Sequence, residues 1–112
     1  AGSGSFFRDG EYIPLFKVTP IYPRRAQERS IMGYAVVSFT ITETGTVENP
    51  EALEGMCGDP TDPATVFRPC SIFNSAAARS AVKLKYKPKI VDGKAVRVDN
   101  VPHKFTFILE ED

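Results

Sequence analysis

The stretch Gly33-Tyr34-Ala35-Val36-Val37-Ser38-Phe39-Thr40-Ile41-Thr42 decides the fold. Ala35, Val37, Phe39 and Ile41 recur at every second position, while Ser38, Thr40 and Thr42 fill the alternate set. That period is the signature of a strand with one face in a core, and β-branched and aromatic residues favour the pleated surface. Glu43-Thr44-Gly45 then reads as a turn into Thr46-Val47-Glu48, which predicts a hairpin whose first strand lies inside a sheet.

Downstream, Cys57 and Cys70 bracket a segment carrying Gly58, Pro60, Pro63 and Pro69. Breakers at this density, with little periodicity, predict a loop insertion over about residues 50–70. With no metal-ligand cluster nearby, a disulfide is the simplest reading of the two cysteines and implies an oxidising compartment; the alternative is a pair of free thiols. Ser71 or Asn74 then caps a helix in which Phe73, Ala77, Ala81 and Leu84 repeat at the spacing of one buried stripe. Lys83 and Lys85 fall in its predicted last turn, and Pro88 ends it. Asp92-Gly93 marks a tight turn between two short extended runs. In the final segment Phe105, Phe107 and Leu109 share one face opposite Lys104 and Thr106, and Pro102 argues for an edge position because it cannot supply a ladder hydrogen bond.

Upstream, both prolines of Thr19-Pro20-Ile21-Tyr22-Pro23 break regular structure, and Pro23 suits the first position of a short polar helix from Arg24 to Ser30. Residues 1–5 read as a tag or flexible spacer. Residues 6–19 read as an N-terminal extension or linker end, either adding a short strand or packing loosely. Residues 20–112 form the domain. Two helices and three main strands with mostly antiparallel connections predict an α+β fold: a three-stranded antiparallel sheet with both helices packed on one face.

Composition narrows the function. At 112 residues the chain makes one domain, and no apolar run approaches the ~20 residues of a membrane helix. Fourteen basic residues balance fourteen acidic ones, which gives no overall field for nucleic acid. Lys83, Lys85, Lys87 and Lys89 form a basic strip that reads either as a solvated face or as a contact for acidic groups. An enzyme is disfavoured: there is no phosphate-cradling glycine loop, no metal-spaced cluster, no cofactor motif, and no nucleophile with a visible base. A thiol paired with His103 would be the one exception, and the turn-rich setting of the cysteines favours a bridge instead.

Taken in order, Pro20-Ile21-Tyr22-Pro23-Arg24-Arg25-Ala26, Gly33, the alternating strand to Gly45-Thr46-Val47, Ala81-Val82-Lys83-Leu84-Lys85-Tyr86-Lys87-Pro88 and the terminal Phe105-Thr106-Phe107 resemble the C-terminal domain of TonB proteins. Two departures stand out: Leu84 where the family commonly has Trp, and a longer cysteine-bearing insertion. The resemblance implies the periplasmic part of an energy transducer whose inner-membrane helix and proline-rich spacer lie upstream of this excised domain. It implies partnership with ExbB and ExbD, and binding of the TonB box and plug of outer-membrane transporters for siderophore, haem or vitamin uptake.

For the site, an unpaired edge accepts an extended peptide as a further strand, through main-chain bonds. The expected peptide-binding residues are His103, Lys104, Phe105, Thr106, Phe107 and Ile108, acting largely through their backbone. The resemblance adds Tyr22, Arg24 and Arg25 as contacts for the transporter plug, Arg25 by a bidentate grip on a carboxylate. The alternatives are a protected or self-pairing edge, which would give a homodimer, and a TolA-like periplasmic adaptor with another ligand.

Overall fold

The computed structural model describes residues 12–110. The predicted spacer over 1–5 and the first part of the predicted N-terminal extension, residues 6–11, lie outside the described residues. In chain order the elements are α1 (Arg24–Glu28), β1 (Gly33–Ile41), β2 (Val47–Cys57), β3 (Arg68–Pro69), α2 (Asn74–Ala81), β4 (Lys89–Val91), β5 (Lys94–Val96) and β6 (Val98–Phe107). The main sheet has four strands in the order β3-β2-β1-β6, all pairs antiparallel, and β4-β5 form a separate ribbon.

The alternating stretch is β1, the central strand between β2 and β6. Ala35, Val37, Phe39 and Ile41 point into the core with Phe73, Ala77, Ala81, Leu84, Phe105 and Phe107, all buried. Ala26 of α1 joins the same cluster, so both helices cover one face of the sheet. Ser38, Thr40 and Thr42 on the opposite side are buried too; the Thr40 hydroxyl donates to Asp99 Oδ1 at 2.8 Å, and Thr42 Oγ1 lies 2.6 Å from Thr46 Oγ1. Gly33 opens β1 for a steric reason. A Cβ there would lie 2.0 Å from the Met56 carbonyl oxygen and 2.9 Å from the Phe73 ring.

The predicted loop over 50–70 is corrected by the structure, because its first part is strand. β2 runs on to Cys57, and the register against β1 slips between Ser38 and Thr40, opposite Asn49 and Pro50. Asn49 takes a positive φ of 56° there. Such a bulge leaves a residue out of the ladder, so a proline is accommodated in mid-strand. The remainder of the insertion returns as β3, which is the fourth strand that the three-strand expectation lacked. Two residues long, it carries no sequence pattern of its own.

Cys57 and Cys70 are joined, with Cα atoms 5.7 Å apart, and the Cys70 N–H donates to the Gly55 carbonyl at 3.0 Å. The bridge closes a loop of sequence separation 13. Replacing both cysteines with serine is expected to lower unfolding free energy by about 2–4 kcal/mol relative to the oxidised chain, chiefly by freeing the unfolded state. Urea unfolding without reductant measures it, and identical midpoints would refute it.

Both helices are shorter than expected. α1 ends at Glu28, and Ser30 follows with a positive φ of 55°. α2 ends at Ala81, its N-cap is Phe73 rather than Ser71 or Asn74, and no side chain caps it. Lys83 and Lys85 therefore follow the helix. The Lys83 and Leu84 amides bond to Ser80 and Ala81 carbonyls, a tightened turn that keeps Leu84 on the buried stripe. The Asp92-Gly93 turn has positive φ at both residues, 50° and 78°, as a two-residue type I′ hairpin requires.

Candidate functional site

β6 pairs with β1 on one side, and among the described residues no strand pairs with it on the other. The register gives the direction of each backbone group. Val37 faces His103, Ser38 faces Pro102 and Phe39 faces Val101. Proline has no N–H to exchange, so Ser38 and Pro102 form a non-hydrogen-bonded pair, and Val101, His103, Phe105 and Phe107 carry the bonds to β1. The N–H and C=O groups of Lys104 and Thr106 therefore point outward, together with the Pro102 carbonyl. This is an edge with donors and acceptors at every second residue.

Side chains alternate on the same strand. Phe105 and Phe107 are 3% and 2% exposed and anchor the strand to the core. Phe107 stacks on Phe73 at a centroid distance of 4.4 Å, and Tyr22 meets both rings edge-on at 5.7 and 5.8 Å. His103 lies against Phe105, with ring centroids 4.7 Å apart. Lys104 faces the other way and sets its ammonium 4.3 Å from the centre of the Tyr34 ring, an attraction worth roughly 0.5–1 kcal/mol at an exposed site. Phe67, from the insertion, packs against the same ring at 5.2 Å. The Tyr34 hydroxyl donates to Glu54 Oε1 at 2.8 Å. That bond, together with burial and the carboxylate's charge, holds the phenol protonated above its usual range.

A groove of about 710 Å³ runs beside the open edge. Of the six expected peptide-binding residues, His103, Lys104, Phe105, Thr106 and Ile108 line it; Phe107 is turned into the core. Its other wall is the irregular segment over residues 13–20, which bends at Leu15 and Phe16, with Leu84 also contributing. This wall has no strand structure, and the Leu15 N–H donates to the Lys85 carbonyl at 2.7 Å, holding it beside the turn after α2. The apolar residues Ile13 and Phe16 were legible in the sequence; their placement next to β6 was not, because nothing local specifies it.

Of the three expected plug contacts, Tyr22 does not share the exposure of Arg24 and Arg25. Its ring is half-buried between Phe73 and Phe107, its hydroxyl donates to the Ile31 carbonyl, and burial raises its pKa. Arg24 and Arg25 are exposed on α1 and make no ion pair among the described residues. Cys57 and Cys70 lie at the far end of the sheet, on the β2 side away from β6. Lys83, Lys85, Lys87 and Lys89 are all exposed, while Arg97 pairs with Glu48 at 2.6 Å. Among the described residues no group of three or more His, Cys, Asp or Glu is arranged to hold a metal ion, and no helix is long and apolar enough to cross a membrane.

The chain is thus an α+β domain whose antiparallel sheet, among the described residues, leaves the outer side of β6 unpaired beside an apolar groove. Residues 18–109 match the family model described as Gram-negative bacterial TonB protein C-terminal, and the chain belongs to that family. It is 32% identical over 94 residues to protein TonB of Pseudomonas aeruginosa, an alignment covering 84% of this chain and 24% of that protein. The chain thus spans about a quarter of the length of that relative. Two solved structures are similar. The solution structure of the Pseudomonas aeruginosa TonB C-terminal domain gives a TM-score of 0.62 at 28% identity, covering 94% of this chain and 93% of the other. The TonB2 protein from Vibrio anguillarum gives 0.57 at 29% identity, covering 99% and 89%.

Proposed function

We propose that this chain is the periplasmic domain of a TonB-type energy transducer and that it binds the TonB box of outer-membrane transporters by strand addition to β6. The observation that carries the reading is the outward set of Lys104 and Thr106 backbone groups beside an open groove. About four to six main-chain bonds at roughly 0.5–1.5 kcal/mol net each, less the ordering of a flexible peptide, leave a modest affinity. A partner that must engage and release is served by such an affinity. Pulling on a strand held in register along β6 loads those bonds together and passes the load to β1, the centre of the sheet. In the whole protein, an upstream inner-membrane anchor and the ExbB and ExbD partners supply work from the proton gradient, and the transported cargo is a siderophore, haem or vitamin. Arg24 and Arg25 offer exposed guanidinium groups to carboxylates of the transporter plug.

Titrating the isotope-labelled domain with a TonB-box peptide tests the proposal. Amide shifts are expected over residues 102–108, strongest at Lys104 and Thr106. Unshifted amides there at millimolar peptide would sink it.

A further inference from the structure

We infer that residues 13–20 are the selective wall of the groove, so that β6 accepts an extended peptide bearing apolar side chains at every second position, on the side facing the helices. The inference rests on the strand-addition reading and adds the chemistry of what is accepted. A strand added to β6 must alternate its side chains between the two faces of the sheet. On the helix side those side chains meet Leu84, Phe105, Val18 and Phe16, and Ile13 closes the wall. Ile13 and Phe16 are 75% and 51% exposed, an unusual arrangement for large apolar groups facing one another across a groove from a buried Leu and Phe. The wall is a poor strand partner itself. Pro14 and Pro20 lack N–H donors, and the Leu15 N–H is already committed to the Lys85 carbonyl. It lines the edge without closing it. The occupant that satisfies both the outward backbone groups and the apolar wall is therefore a segment of another polypeptide in extended form.

Two synthetic peptides of equal length with lysine ends provide the test, one alternating Val and Thr, the other with every Val replaced by Ser. Dissociation constants are read from the Lys104 and Thr106 amides of the intact chain. The Val peptide is expected to bind about tenfold or more tightly, because two or three buried valines each contribute apolar area. In the double variant Ile13→Ser, Phe16→Ser, the ratio is expected to fall to within about threefold, mainly through loss of affinity for the Val peptide. Both side chains are at least half exposed, so the fold is retained, and an unchanged thermal transition verifies this. An undiminished ratio in the variant overturns the wall's role while leaving strand addition standing. Failure of both peptides to shift the edge amides overturns strand addition itself. Molar mass measured across a dilution series detects a second copy in the groove; a tight dimer that the Val peptide cannot dissociate overturns the inference as well.

Discussion

Lys104→Pro is expected to leave the domain folded and to weaken binding of a TonB-box peptide by about tenfold or more, whereas Phe105→Pro, one residue further on, is expected to unfold it. The contrast follows from the direction of the two amides. Lys104 points its N–H away from β1, so proline there removes only an outward donor and crowds the incoming strand. Phe105 spends its N–H on the ladder to Ala35, in the middle of the sheet, and its ring is core. Proline at such a position removes a ladder hydrogen bond and leaves a buried carbonyl without its donor, before the lost aromatic packing is counted. Lys104→Ala is the control for the side chain and is expected to change affinity by less than about threefold, since its cation–π contact is exposed. Thermal melts and amide-shift titrations of the three variants are sufficient. If Lys104→Pro melts as early as Phe105→Pro, or binds as tightly as the unaltered chain, the assignment of the free edge is wrong.

Phe73→Ala is expected to destabilise the domain by about 3–5 kcal/mol, the range for removing a buried aromatic ring. Phe73 is fully buried at the mouth of α2. It stacks on Phe107, meets Tyr22 edge-on, and lies where a Cβ on Gly33 would be in contact with its ring. The four groups join α2, β6, β1 and the segment before α1, so no single shift can fill the void. A domain of this size has roughly 5–15 kcal/mol of stability, and each kcal/mol is worth about 4–8 °C in Tm. The melting temperature is therefore expected to drop by about 12 °C or more, with Phe73→Leu falling less. A drop under about 5 °C would show that the cluster does not tie these elements together. The same ring stack holds β6 in place, so peptide affinity is expected to fall with stability in the Ala variant.

Much of the architecture was legible in the residues. The period of Ala35, Val37, Phe39 and Ile41 located the central strand, and the stripe from Phe73 to Ala81 located α2 on the face it buries. Pro102 announced an edge. Where the structure departs from the local pattern, long-range pairing outweighs a local rule. Pro50 reads as a strand breaker, yet a bulge opposite Phe39 lets β2 pass through it. Arg68 and Pro69 have no strand pattern and become strand only because the Cys57–Cys70 bridge brings them alongside Met56 and Cys57. The apolar stripe continues to Leu84 while the helix stops at Ala81, and a tightened turn delivers Leu84 to the same core.

By itself, the order of residues along the chain determined which segments could be strands or helices and which face of each is apolar, because those properties depend on neighbours two to four positions away. It also determined that the amide at position 102 could not take part in a ladder. Only the tertiary structure decided that residues 13–20 lie across from β6, that Tyr22 turns inward while Arg24 and Arg25 stay exposed, and that the insertion covers part of the β2 edge and leaves β6 open. These are placements of segments distant in sequence. They are set by which apolar surfaces find one another, and a local pattern of residues does not contain that choice.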